Sequence, residues 1–122
     1  MSYHFTIEVH PGYLHTTVTG DSTAENALRF LRESYEACVE RGIASVLLEM
    51  NLQGSSSIDT GSVYSVISQR SDTGKQLHKI AYVDRSSHGA SKARFAETVA
   101  VNRGVNVRLF PSLSEAKRWL ES

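Results

Sequence analysis

A single cysteine, Cys38, leaves this 122-residue chain unable to close an internal disulfide. Disulfide-stapled secreted scaffolds are therefore excluded, and a reducing compartment fits. Two prolines and eight glycines are too few for a collagen-like, low-complexity or largely disordered chain. No stretch approaches the roughly 18 consecutive apolar residues of a membrane-spanning helix. The opening MSYHFTIEVH has neither a basic start nor a long apolar run, so it does not read as a secretory signal. The expected location is cytoplasmic. What is present suits one domain over residues 1–122, since 40% of the chain is apolar. A chain of this length can bury roughly two thirds of its unfolded surface.

Thirteen basic and thirteen acidic residues balance overall, but not along the chain. Residues 1–61 hold three Arg against eight Asp or Glu, a balance of −5, and residues 62–122 hold ten Lys or Arg against five, a balance of +5. The later half is thus the better face for an anion or an acidic partner. Its basic residues are scattered, with few aromatics among them, which argues against nucleic acid.

Tyr3, Phe5, Ile7 and Val9 alternate with His4, Thr6 and Glu8, and Leu14, Thr16 and Val18 alternate with His15, Thr17 and Thr19. The period of two and the intervening Pro11-Gly12 predict a β-hairpin. Ser22-Thr23-Ala24-Glu25 has the spacing of a capping box with Ser22 as the cap. It opens a helix with Leu28, Leu31, Tyr35 and Cys38 inward, closed at Arg41-Gly42. Val46 to Met50 is a nearly continuous apolar run, suited to a central strand. A helix starting near Asp59, a strand over Ile80 to Val83, and a helix over Ser91 to Arg103 stopped by Gly104 follow. A last strand through Val107 and a helix capped by Ser112 with Glu115 complete the chain. The order ββαβαβαβα predicts an α/β fold: a five-stranded mixed sheet with parallel right-handed crossovers. The alternate strand positions His4, Thr6, Glu8, His15, Thr17, Thr19, Asn106 and Arg108 are polar. A sheet buried on both faces would not have them. The four helices are therefore expected mostly on one face, the other being partly wet or covering a partner.

No complete catalytic or metal-binding motif is present. Gly54-Ser55-Ser56-Ser57-Ile58-Asp59-Thr60-Gly61 lies between a central strand and a helix. Ligands tend to bind there in open α/β sheets, and helix amides there favour anions. Ser55, Ser56, Ser57, Asp59, Thr60, Gly61 and Ser62 are thus a candidate anion-binding or phospho-acceptor loop, without the Gly-Lys-Ser/Thr ending of a P-loop. Arg85, His88 and Arg94 near the end of the fourth strand are a candidate anion rim. The histidines show no i, i+4 helical spacing and no completing ligand, so neither a metal nor a cofactor is expected; His4 and His15 are expected side by side across the hairpin. Cys38, on an apolar helix stripe, reads as a buried structural thiol. No acid–base pair is identifiable, so the chain is not read as an enzyme.

The element order, LLEMN followed by IDTGS, and the stretch FAETVAVNRGVNVRLFPSLSEAKRWL together resemble STAS or SpoIIAA-like domains. The similarity spans essentially the whole chain. It is to the small, mostly uncharacterised bacterial members of that superfamily, and Phe95 to Gly104 carries its specific part. The resemblance implies four successive βα units with an added N-terminal strand, a regulatory role and no enzymatic activity. In anti-sigma factor antagonists of this superfamily, a Ser at the start of the second helix, in an Asp-Ser-Ser/Thr-Gly context, is phosphorylated by a partner kinase. The matching stretch is Asp59-Thr60-Gly61-Ser62. One hydroxyl residue is missing before the Gly and Thr stands in place of Ser, which makes Thr60 the nearest acceptor. The expected function is a non-catalytic regulatory or binding module that docks a protein partner near the start of the second helix. A carrier of a small anionic ligand or lipid, and a structural homodimer formed through the uncovered sheet face, are the rival readings.

Overall fold

The computed structural model describes residues 2–54, 59–86 and 90–122. The chain runs β1 (Tyr3–His10), β2 (Tyr13–Asp21), α1 (Ala24–Arg41), β3 (Ser45–Gln53), α2 (Thr60–Gly74), β4 (Lys79–Asp84), α3 (Ala90–Asn102), β5 (Val107–Leu109) and α4 (Leu113–Leu120). The five strands form one sheet in the order β1-β2-β3-β4-β5. β1 pairs antiparallel with β2, and every later pairing is parallel. This is the mixed α/β sheet that the alternation implies.

The hairpin turns at Pro11-Gly12, where Gly12 has φ 87°, the left-handed value a Pro-Gly type II turn needs at its third position. That two-residue turn fixes the register, with His10 opposite Tyr13, Glu8 opposite His15 and His4 opposite Thr19. His4 therefore does not lie beside His15 as expected. The turn sets pairs whose numbers sum to a constant, and His15 takes Glu8 as its neighbour.

The cap of α1 is Thr23 rather than Ser22. Thr23 is extended, and its side chain accepts from the Asn26 amide at 3.1 Å. A capping box on Thr23 would need Glu or Gln at position 26. Asn26 instead donates to the carbonyls of Ser2 (3.0 Å) and Asp21 (2.8 Å), tying the N-terminus to the helix entry. Gly20 makes that approach feasible. It sits at φ 137°, and a Cβ there would lie 2.3 Å from the Ser2 carbonyl oxygen. At the other end Gly42 closes α1 in the left-handed region, with its amide donating to the Cys38 and Val39 carbonyls. Ser112 caps α4 as its capping box implies, accepting from the Glu115 amide at 3.3 Å.

Two apolar clusters lie on opposite faces of the sheet. The larger joins Leu14, Val18, Val46, Leu48, Met50 and Ile80 to the inward stripes of α1, α2 and α3. Phe30 is fully buried there, and Cys38 is 1% exposed, a buried thiol as its stripe position implies. The smaller joins Tyr13, Leu47, Ala81 and Val83 to Ala116 and Leu120 of α4. β3 is buried on both faces because α4 alone crosses to the second one, which explains its nearly continuous apolar run. Three helices thus share one face. On the other face, α4 lies over β3 and β4 and reaches Tyr13 at the start of β2, and the rest of the hairpin presents polar residues. His4, Thr6 and Glu8 are exposed there.

Candidate functional site

At the C-terminal ends of β3 and β4, the backbone is cinched by side chains. The Ser86 hydroxyl accepts from the Leu52 amide at 2.8 Å, and Asp84 accepts from the Ser86 amide at 2.9 Å and from the buried Tyr82 hydroxyl. Gln53 donates to the Arg85 carbonyl at 2.9 Å. These bonds fix where the chain leaves the sheet toward the start of α2 and toward α3.

Asp59 caps α2, its carboxylate accepting from the Ser62 amide at 2.7 Å. That backbone hydrogen bond first, then the Ser62 hydroxyl and the Lys92 ammonium, hold its carboxyl below the usual carboxylate range. Thr60 and Gly61 are exposed and Ser62 is half-buried. One turn further on, Tyr64 is 49% exposed. Its hydroxyl accepts from the Arg103 guanidinium at 2.7 Å, with the guanidinium 5.3 Å from its ring centre. A hydroxyl side chain, helix amides and an anchored aromatic ring thus share one surface. Ser55, Ser56, Ser57 and His88 lie outside the described residues.

Arg85 and Arg94 have separate surroundings. Arg85 reaches Glu49 on the α4 side of the sheet, 3.6 Å away. Arg94 lines a shallow groove with Asp84, Glu97 and Phe110. Two carboxylates in that groove oppose an anion, and Arg85 already has a carboxylate partner.

Beneath α1, α2 and α3 is an apolar cavity of about 70 Å³, lined by Leu31, Tyr35, Met50, Val66 and Ala96 among others. Arg70 and Lys92 also reach its lining. The Arg70 Nε is shielded from water and has no hydrogen-bond partner among the described residues. Sequence periodicity marks these positions as core and cannot reveal that they leave a gap.

The polar face of the hairpin holds a second cluster that the helical-spacing argument missed. His15 is nearly buried, and its Nε2 lies 2.8 Å from Glu49 Oε1. His10 Nε2 lies 2.5 Å from Glu8 Oε1, and its ring stacks on Tyr13 at 4.9 Å. The signal was legible, since a two-residue turn at Pro11-Gly12 places Glu8 across from His15 by counting alone. The contribution of Glu49 was not, because it comes from a parallel neighbour 34 residues away.

No family model and no curated protein matches the chain. Solved structures do. One is an anti-sigma factor antagonist from Mycobacterium paratuberculosis, 16% identical, with a TM-score of 0.65 over 99% of this chain and 96% of that one. Another is an uncharacterised DUF3478-family protein with a SpoIIAA-like fold from Shewanella loihica, 15% identical, with a TM-score of 0.59 over 97% and 93%. The protein TM1081 matches at 18% identity, with a TM-score of 0.53 over 99% and 91%. No described helix is long and apolar enough to cross a membrane. The five-stranded mixed sheet, its helices and these matches together give this chain the SpoIIAA-like fold.

Proposed function

We propose that this chain is a non-catalytic regulatory module that docks a protein partner through the first turns of α2. The observation that carries this reading is the exposed Thr60-Gly61 turn, capped by Asp59 and followed by the Arg103-anchored ring of Tyr64. Hydrogen-bonded aromatics with one open face are common anchors of protein interfaces. The likeness to an anti-sigma factor antagonist supports a partner-binding role. A phosphate on Thr60 would add nearly two negative charges at the helix start, beside the Asp59 carboxylate, and would change what the surface accepts.

The test compares affinity capture from the host by the wild type, Tyr64→Ser and Thr60→Glu. His78→Ala, an exposed change outside α2, is the control. A partner captured by the wild type, lost in Tyr64→Ser and Thr60→Glu and kept in the control supports the reading. A partner bound equally by all four removes α2 from the interface. Phosphosite mapping after incubation with ATP and host kinases checks the switch, and absence of label on Thr60, Ser57 and Ser62 refutes that part.

The cavity under α1–α3 favours a second reading, a carrier of an amphipathic anion. Its apolar lining would take a chain, and Arg70 and Lys92 would face a headgroup. A ligand at 100 times its Kd adds about 2.7 kcal/mol of stability, which a thermal-shift screen of fatty acids, phosphates and nucleotides would register. An unmoved Tm across that screen refutes it.

A further inference from the structure

We propose that the β1–β2 hairpin is a binding site for a divalent transition metal of the zinc type, with Glu8, His10 and His15 as ligands and Glu49 as the residue that positions His15. The three ligands each bring one donor atom, and these atoms lie within 4.8 Å of one another. A tetrahedral zinc with bonds near 2.0–2.1 Å needs its donors about 3.4 Å apart. The cluster is therefore about one side-chain adjustment from a coordination shell. Two imidazoles and one carboxylate are the donor set of many open zinc sites, which keep a fourth position for water or another ligand.

The backbone is suited to hold it. Glu8 and His10 stand two residues apart on β1 and so share a face, while His15 is the direct partner of Glu8 on β2. The tight Pro11-Gly12 turn and eight cross-strand residue pairs make the three positions one rigid unit. His10 is further fixed by stacking on Tyr13, with the His10 and His15 ring centres 6.3 Å apart.

The electrostatics also fit. His10 Nε2 is shielded from water and completes no hydrogen bond, although Glu8 Oε1 is 2.5 Å away. The two groups meet there without completing a hydrogen bond, and spread to the separation that a zinc shell requires, both would bond the one cation. Glu49 holds the His15 ring at 2.8 Å, and Thr17 is 3.5 Å from the same carboxylate oxygen. A carboxylate behind an imidazole is the usual means of orienting a metal-binding histidine and raising its basicity. Glu8 is exposed and His10 half-buried at the sheet edge, so an ion has a direct path in.

The test uses the full chain, stripped with a chelator and titrated with Co²⁺ and then Zn²⁺. The expected result is one equivalent of cobalt with the intense ligand-field absorption of a low-symmetry, four-coordinate site, displaced by zinc, and a Tm that rises with zinc concentration. His10→Ala and Glu8→Gln should each weaken zinc by about tenfold or more, while His78→Ala changes nothing. Glu49→Gln should weaken it by about 10- to 100-fold while keeping one equivalent and the native circular dichroism, with partial rescue by Glu49→Asp. His15→Ala should abolish binding. Because His15 is nearly buried and that variant can fail to fold, His10→Ala and Glu8→Gln decide the question. Absence of saturable uptake, or stoichiometric uptake unchanged in both of those variants, overturns the proposal.

Discussion

Thr16 and Ser34 form a hydroxyl pair sealed inside the main core, and it should respond to mutation in a distinctly non-additive way. Their oxygens lie 2.8 Å apart, one on β2 and one on α1, and both residues have 0% exposure. Neither hydroxyl can turn to water, so removing one leaves the other to find a partner in the protein. Thr16→Val keeps the shape of the side chain and orphans Ser34. A helical Ser can swing to the carbonyl four residues back, here Phe30, so the expected cost is about 1 kcal/mol. Ser34→Ala orphans Thr16 in mid-strand, where the neighbouring carbonyls already serve the sheet, and the expected cost is about 2 kcal/mol. Replacing both leaves no unpaired group, so the double variant should lose only about 1 kcal/mol, giving a coupling near 2 kcal/mol. At about 3–5 °C per kcal/mol for a chain of this size, the double variant should melt only about 3–5 °C below wild type. Simple addition would put it about 9–15 °C below. The assay is urea unfolding of all four proteins by circular dichroism, with unchanged m-values as the check on two-state behaviour. A double variant that loses the sum of the single losses within about 0.5 kcal/mol refutes the claim that the pair acts as a unit.

Burial pushes the Cys38 thiol up to about 11, so at pH 8 about one molecule in a thousand carries the reactive thiolate. Native protein should label with a thiol reagent at least a hundredfold more slowly than protein in urea, and equal rates would contradict the burial. The sign with pH follows: the stability gained from keeping this thiol protonated is complete below about 8.5 and is lost as pH rises toward 11. Cys38→Ala should flatten that part of the curve in denaturant titrations. The Asp59 carboxyl is held low in the folded chain, so its contribution is complete above the ordinary Asp value of about 3.9 and disappears as pH falls through the depressed value. Asp59→Asn should keep the cap but lose this acid dependence, whereas Asp59→Ala should lower the Tm at neutral pH as well. Identical acid-melting profiles for wild type and Asp59→Asn would rule out the cap as their source.

The amino-acid sequence by itself determined what depends on near neighbours. The hairpin, the Gly42 stop, the helix start near Asp59, the Ser112 cap, and the succession of strands and helices all follow from residues within a turn or two of each other. The failure at Ser22 was also local, a shift of one residue to Thr23, whose hydroxyl accepts from the Asn26 amide. The parallel order was legible too, because repeated βα units leave few alternatives. Only the tertiary structure decided what depends on contacts between distant segments. It placed α4 alone on the second face, so His4, Thr6 and Glu8 stay exposed while Leu47, Ala81 and Val83 do not. It set Arg85 beside Glu49, and Arg94 in a groove with Asp84 and Glu97. It also set Glu49 behind His15, so that a histidine with no helical metal spacing meets Glu8 and His10 across the hairpin. The physical reason is that periodicity tells which side of an element a residue faces, whereas the partner it meets there is set by how whole elements pack.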